Sequence, residues 1–288
     1  MDGTNAIARV LDAPALDNLA EPLSRAVKSA YESAGPFGHR LKDAAHGVWL
    51  RHPLHPVFTD IPIGAWTTGL VLDGLSDGDE GMERAADIAL GVGLVGAAGA
   101  AITGLTDWSE TSGRSQRTGL VHGLLNIAAT AMLATSYILR KQGARGAGKA
   151  WAVAGYGIAT GSAWLGGDLV YDQRIGVTHA TVDSPETFTR VASSAEVGEN
   201  RMTRALSGTT DVLLARDRGR LCALAHPCSH MGGPLSEGKM EDGAVVCPWH
   251  GSKFRLDDGT VLRGPATQHQ PRFEVREQDG GIEVKAAD

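Results

Sequence analysis

The sequence predicts two regions in succession: an all-α, four-helix transmembrane bundle, then an all-β domain. Three observations carry this. Four stretches in the first two thirds of the chain are long, apolar and nearly free of charge. From about residue 181 the composition shifts to Thr, Val, Arg, Asp and Gly in short alternating runs. Two Cys/His pairs, Cys228-Ser-His230 and Cys247-Pro-Trp-His250, lie inside that second region. A length of 288 residues fits two domains, since a domain typically takes roughly 100–200. We expect a polar segment over 1–44, a membrane domain over 45–180, a linker near 172–187 and the β domain over 188–288.

The N-terminal segment carries Asp2, Asp12, Asp17 and Glu21 and has no basic start followed by an apolar core, so it does not read as a signal peptide. Part of 15–50 is expected as a helix at a membrane surface. The apolar stretches are 57–76, 88–106, 119–139 and 150–171. A bilayer core about 30 Å thick needs roughly 20 residues at about 1.5 Å each. The first stretch is marginal because it holds Asp60 and Asp73, while the second and third contain no formal charge. A soluble bundle would need a polar face on each helix, and the last three stretches lack one. Gly157-Ile-Ala-Thr-Gly161 offers a small-xxx-small contact.

Loop charges give a mixed topology signal. Arg40, Lys42, Arg51, Arg114, Arg117 and Arg174 fall on one side, but Arg140 to Lys149 adds basic residues on the other. We take both termini, and with them the β domain, to be cytoplasmic, in a multi-pass protein of the cell membrane.

In the second region the turns Asp217-Arg-Gly219, Glu241-Asp-Gly243 and Asp257-Asp-Gly259 separate short alternating runs, as expected of β-strands. Of three cysteines, Cys222 lies in an alternating stretch and reads as a buried strand residue. An odd, low count argues against a disulfide framework. The net charge of −6, without a basic run, excludes a nucleic-acid surface.

Cys228 and His230 are followed, after sixteen residues, by Cys247 and His250. Each pair sets a thiolate and an imidazole on a tight loop, so two loops can clamp one metal group. Two Cys and two His would also satisfy tetrahedral zinc, but zinc fingers usually group like ligands together. The mixed order here, with Pro248 and Gly251, resembles the Rieske family over about 188–288. That resemblance implies a [2Fe–2S] cluster with both cysteines on one iron and both histidines on the other. It implies that Gly264-Pro265-Ala266 forms a covering loop. The cytochrome bc type carries an extra disulfide, and its positions are Gly233 and Trp249 here. Phe254 replaces a tyrosine that donates to a ligand sulfur, while Ser252 matches a serine that bonds a bridging sulfide. The pattern is similar to Rieske ferredoxins and oxygenase Rieske domains, and implies a potential toward the low end of about −150 to +300 mV.

Arg51-His-Pro-Leu-His-Pro56, Thr59-Asp-Ile-Pro-Ile-Gly-Ala-Trp66 and Gly166-Gly-Asp-Leu-Val-Tyr171 resemble a four-span membrane family of unknown function, DUF2231, over about 45–180. In an up-down bundle His55, Asp60, His122 and Asp168 come to one membrane face. Ionisable groups within spans are rare and usually functional. The favoured reading is nevertheless that these groups pair with one another or cap helices near the interface; a haem or quinone site between His55 and His122 is the alternative.

Together these features predict a membrane-anchored, one-electron carrier with no catalytic residue of its own. Its expected partners are an unidentified electron donor, an unidentified electron acceptor and the lipid bilayer. An oxygenase would need a mononuclear iron site, yet the 38 residues after His250 hold one histidine, His269. The alternatives are an electron-transfer component of a multi-subunit oxygenase or oxidoreductase, and a non-catalytic redox sensor.

Overall fold

The protein is described from a computed structural model that defines residues 8–183 and 186–287. Two positions of the expected linker, 184 and 185, lie outside the described residues. Contacts divide the chain into two units. One comprises Met1–Leu41 with Leu54–Ile175, and the other Lys42–Pro53 with Gly176–Asp288.

The first unit is helical. Its principal helices are α1 (Asp17–Ser33), α2 (Gly35–His46, which crosses into the second unit), α3 (Leu54–Leu75), α4 (Glu80–Ser109), α5 (Gly113–Lys141) and α6 (Arg145–Tyr171). Asp79 caps α4 by accepting from the Met82 N–H at 2.8 Å, which satisfies one of the open donors of the first turn. The two hairpins α3–α4 and α5–α6 pack most closely. Glycines on α4 receive side chains from α3: a Cβ at Gly96 would lie 2.6 Å from Ile61, and one at Gly104 would lie 2.7 Å from the His55 ring. Close backbone approach of this kind is what small residues permit. On α6 the expected contact pair Gly157 and Gly161 is not used, since both face open space. Gly148 and Gly155 sit against α5 instead, near Arg140 and Met132. The small-xxx-small reading was placed on the wrong face.

Among the described residues only α4 and α5 are long and apolar enough to cross a membrane by length and composition. The other two long helices carry Asp, Thr, Trp and Gly among their apolar residues, which lowers their hydropathy. α1 packs beside the ends of α4 and α5, where Ser24 Oγ donates to the Ser109 carbonyl at 2.8 Å and Tyr31 bonds Thr106 at 2.7 Å.

At the other end of the bundle charges meet. Arg140 binds Asp73 at 2.5 Å and Asp87 at 3.3 Å, and Arg145 binds Asp73, Asp87 and Glu83 at 3.0–3.1 Å. Lys149 donates to the Asp73 carbonyl at 2.9 Å. The basic third loop that clouded the topology is therefore matched to acidic groups of α3 and α4.

Among the described residues the second unit holds ten strands: β1 (Thr189–Ser193), β2 (Arg201–Ser207), β3 (Thr210–Asp217), β4 (Arg220–Ala225), β5 (Lys239–Glu241), β6 (Ala244–Val246), β7 (Lys253–Arg255), β8 (Val261–Arg263), β9 (Phe273–Gln278) and β10 (Gly281–Ala286). They form three antiparallel sheets, ordered β1-β10-β9, β2-β3-β4 and β5-β6-β7-β8. One core joins Leu213, Leu224, Leu235, Val245, Phe254 and Leu256 to Cys228 and Cys247, with Val48 packed against it. A second joins Val212, Leu214, Phe273, Ile282 and Val284. The alternation of β3 and β4 explains the pair: Leu213 and Ala215 face one core, Val212 and Leu214 the other.

Candidate metal centre

Two loops rise from the first core. The loop of Pro227–Pro234 follows β4 and is pinched at its base by a bridge between those two prolines. Inside it the Cys228 N–H donates to the Gly233 carbonyl at 2.9 Å, and the Gly232 N–H to the Cys228 carbonyl at 2.8 Å. The loop of Cys247–Ser252 joins β6 to β7. There the Cys247 N–H donates to the Ser252 carbonyl at 2.8 Å, and the Gly251 N–H to the Cys247 carbonyl at 3.1 Å. Gly232 and Gly251 turn at φ +77° and +74°, a region that side chains disfavour.

The loops bring the motif residues together as two like pairs. Cys228 and Cys247 are buried, at 1 % and 3 % exposure, and adjacent: the Cys228 thiol bonds the Cys247 sulfur. That contact pushes the Cys228 pKa up and the Cys247 pKa down. Backbone N–H groups favour a thiolate at both positions, those of His230 and Met231 at Cys228 and those of Trp249 and His250 at Cys247. The imidazoles of His230 and His250 are half-buried, edge to face, with centroids 5.0 Å apart. Trp249 stands outside them, 57 % exposed, with its ring 6.4 Å from that of His250.

The arrangement is two like pairs, thiols inward and imidazoles outward. Among the described residues no three Cys, His, Asp or Glu converge on one point suited to a single ion. Two metals bridged by non-protein atoms ask instead for two pairs of protein ligands, which is what the loops present. The amides aimed at both sulfurs suit thiolate ligands, since hydrogen bonds to the charged form favour it. The donor set therefore fits a [2Fe–2S] group.

The neighbouring positions are also ordered around this point. A Cβ on Gly233 would lie 2.8 Å from Cys247 Sγ and 3.1 Å from the Trp249 ring. The two positions that a disulfide would join thus face each other, with no thiol at either. Phe254 is wholly buried in the core that holds both cysteines. Ser252 is buried and its Oγ accepts the Ala266 N–H at 3.0 Å, which leaves its own hydrogen to donate. Pro265 is buried beside it, in the loop after β8.

Three details had no sequence signal. Gln270, 1 % exposed, braces the first loop: its Oε1 accepts the Ser229 N–H at 2.9 Å, and its Nε2 donates to the Ala225 and Pro227 carbonyls at 2.6 Å. Arg263 donates to the Gly251 carbonyl at 3.0 and 3.2 Å, bracing the second. His226 bonds Ser236 at 2.8 Å below the first. Cys222 is a buried strand residue whose sulfur contacts Asp257 at 3.6 Å. Burial and then Asp257 push its pKa up to about 11, so it stays a thiol.

In the helical unit His55 and His122 do approach each other, with ring centroids 6.5 Å apart and planes at 88°. Both Nδ1–H groups are engaged, however, with the Ala100 and Ser162 carbonyls at 2.9 Å each. His122 Nε2 accepts from Asn126 at 3.1 Å. A haem between two imidazoles needs ligand nitrogens about 4 Å apart, given iron–nitrogen bonds of about 2 Å. Asp60 is exposed, and Asp168 accepts from Gln173 at 2.6 Å, so neither joins the pair. The alternative of a haem or quinone has no support in this geometry. The histidines tie helices together.

Comparison with known proteins agrees with this division. Residues 187–274 match the Rieske [2Fe–2S] domain family, and residues 51–179 match DUF2231, described as a predicted membrane protein. Apoptosis-inducing factor 3 of Homo sapiens is 29% identical over 117 residues, which is 40% of this chain and 19% of that protein. The chain thus spans about a fifth of that relative. The 3-phenylpropionate/cinnamic acid dioxygenase ferredoxin subunit of Photorhabdus laumondii is 35% identical over 86 residues, 30% of this chain and 82% of the relative. The biphenyl 2,3-dioxygenase ferredoxin component of Rhodococcus jostii is 33% identical over 89 residues, 31% of this chain and 83% of the relative. Among solved structures, the ferredoxin of carbazole 1,9a-dioxygenase from Nocardioides aromaticivorans IC177 aligns with 22% identity over 35% of this chain and 99% of that chain, at a TM-score of 0.34.

Proposed function

This chain belongs to the Rieske [2Fe–2S] family, and from that premise we propose that it is a one-electron carrier held at a lipid bilayer by its helical unit. Cys228 and Cys247 ligate one iron, His230 and His250 the other. A bound [2Fe–2S] group supplies reversible one-electron chemistry. The protein's part is to hold and shield it. Cys228 and Cys247 are fixed in the core, and their loop amides offset thiolate charge. Ser252, Phe254 and Pro265 set the polarity on that side. His230 and His250 lie toward solvent beside the exposed Trp249, which is where a partner protein can come close. The observation that carries this reading is the two like pairs: adjacent buried thiols and two imidazoles 5.0 Å apart.

Four bilayer-crossing helices are part of the same proposal. α4 and α5 have the required length and apolarity, and α3, at 22 residues, spans about 33 Å at 1.5 Å each. Large apolar residues point outward from all four long helices: Ile63, Val95, Ile127 and Val153 are each half or more exposed. Such a surface suits lipid rather than water. The iron–sulfur domain is assigned to the cytoplasm. The electron donor and acceptor are a reductase and an oxidised partner. Because two relatives are named as ferredoxin components of dioxygenases, service to an oxygenase is the second reading.

The purified, detergent-extracted protein should show the visible and electron paramagnetic resonance spectrum of a reduced Rieske centre and no haem band. A spectrum of mononuclear metal, or no iron at all, would overturn the assignment. Extraction of the protein from vesicles by carbonate without detergent would overturn the membrane part alone.

A further inference from the structure

The region matched to the Rieske family begins at residue 187, yet the unit that holds the site includes Lys42–Pro53, from before the first long helix. Asp43 Oδ1 accepts the Gly264 N–H at 2.9 Å. Val48 packs against the core that contains both cysteines. A Cβ at Gly264 would lie 3.0 Å from Val48 and 3.1 Å from Asp43 Oδ1, so the segment is seated on the loop without spare room. From there the connection continues. Pro265 is buried, the Ala266 N–H donates to Ser252 Oγ at 3.0 Å, and the Ser252 carbonyl accepts the Cys247 N–H at 2.8 Å. Three hydrogen bonds and the short Gly264–Ala266 stretch thus connect a carboxylate outside the matched region to a ligand loop.

We propose that Asp43 is a positioning residue for the iron–sulfur site, and that segment 42–53 is held more tightly when the site is oxidised than when it is reduced. The inference rests on the electron-carrier reading. Two effects give it direction. The carboxylate fixes the covering loop, and with it the Ser252 hydroxyl. Its negative charge also opposes the arrival of a further electron, since like charges raise each other's energy. The two effects imply reciprocity: if docking of the segment lowers the potential, reduction by an electron from the donor must weaken docking by the same factor. The segment runs directly into α3 at Leu54. The redox state of the site therefore reaches the chain that enters the helical unit.

The test uses the full-length protein in detergent. Wild type is titrated potentiometrically, beside Asp43→Asn, Asp43→Ala and, as a control carboxylate on an exposed turn, Asp279→Asn. Exchange of the Gly264 amide is followed in the oxidised and dithionite-reduced forms. The expected result is a raised potential in Asp43→Asn, which keeps an acceptor but loses the charge, with no shift in Asp279→Asn. Asp43→Ala should in addition lose protection of the Gly264 amide. In wild type that amide should exchange faster after reduction. A wild-type potential retained in Asp43→Asn, or equal Gly264 exchange in both redox states, overturns the proposal. Asp43→Asn keeps the question answerable if Asp43→Ala does not fold. Absence of a Rieske signal in wild type is a different failure, which removes the electron-carrier reading itself.

Discussion

The protein contains two pairs of histidines in nearly the same geometry. His230 and His250 meet edge to face at 5.0 Å in the β unit, and His55 and His122 do so at 6.5 Å in the helical unit. Their surroundings differ. The first pair sits outside two buried thiols that backbone amides have prepared for negative charge. Each member of the second pair spends its Nδ1–H on a backbone carbonyl of another helix. An imidazole pair is therefore not a site by proximity. What converges on it decides whether it binds a metal or fastens two helices.

The largest expected effect separates the pairs. His230→Ala or Cys247→Ala should abolish the iron–sulfur spectrum, because the remaining side chains cannot close two irons. His55→Ala and His122→Ala should leave the spectrum intact and lower the unfolding midpoint of the helical unit, each costing about 1–3 kcal/mol as a tie between helices is lost. Spectral loss in either bundle variant would reverse the comparison.

A second contrast concerns charge. Arg140→Ala removes one of the two guanidinium groups that meet Asp73 and Asp87 and leaves Arg145 as their partner, so it should destabilise the helical unit by less than the roughly 3–5 kcal/mol of breaking a buried pair outright. Thermal unfolding in detergent should show this, while a redox titration should not move.

Smaller effects sharpen the metal side. Phe254→Tyr should raise the potential by adding a donor beside the cysteines, and Ser252→Ala should lower it by removing one. Potentiometric titration with both shifts reversed would mean that the second layer is misassigned.

The smallest effect is one of pH. Burial, and then Arg204, hold the His226 pKa below its ordinary 6.5. A depressed histidine binds its proton more readily when unfolded. Stability of the β unit should therefore be complete above about 6.5 and decline as pH falls below it. His226→Gln should flatten that decline in a denaturant series run at several pH values.

The two regions also differed in how far the sequence could be read. The Cys228–His230 and Cys247–His250 pairs were legible because each is a local pattern, and the structure brings them together. Long apolar stretches announced four helices for the same reason, each near a stretch named in advance. What stayed hidden depends on contacts between distant, ordinary residues. Gln270 and Asp43 are common residue types with no motif, and only the fold carries Gln270 to a ligand loop and Asp43 to the loop after β8. Gly157 and Gly161 lie off the helix contacts, while Gly148 and Gly155 meet α5, because a small-residue spacing does not say which face is inward. Arg140, Arg145 and Lys149 weaken a loop-charge count because their partners are acidic and backbone groups of other helices, which the sequence does not show.

Those same charges impose a timetable on biogenesis. Asp73, Glu83 and Asp87 belong to the α3–α4 hairpin, and Arg140, Arg145 and Lys149 to the α5–α6 hairpin. A ribosome delivers the acidic hairpin first, so its carboxylates wait for these partners until the basic hairpin arrives. The helical unit is made of two complementary halves, each incomplete until the other is synthesised. A nascent chain halted after Ser109 is the form that quality control would encounter with its acids uncovered.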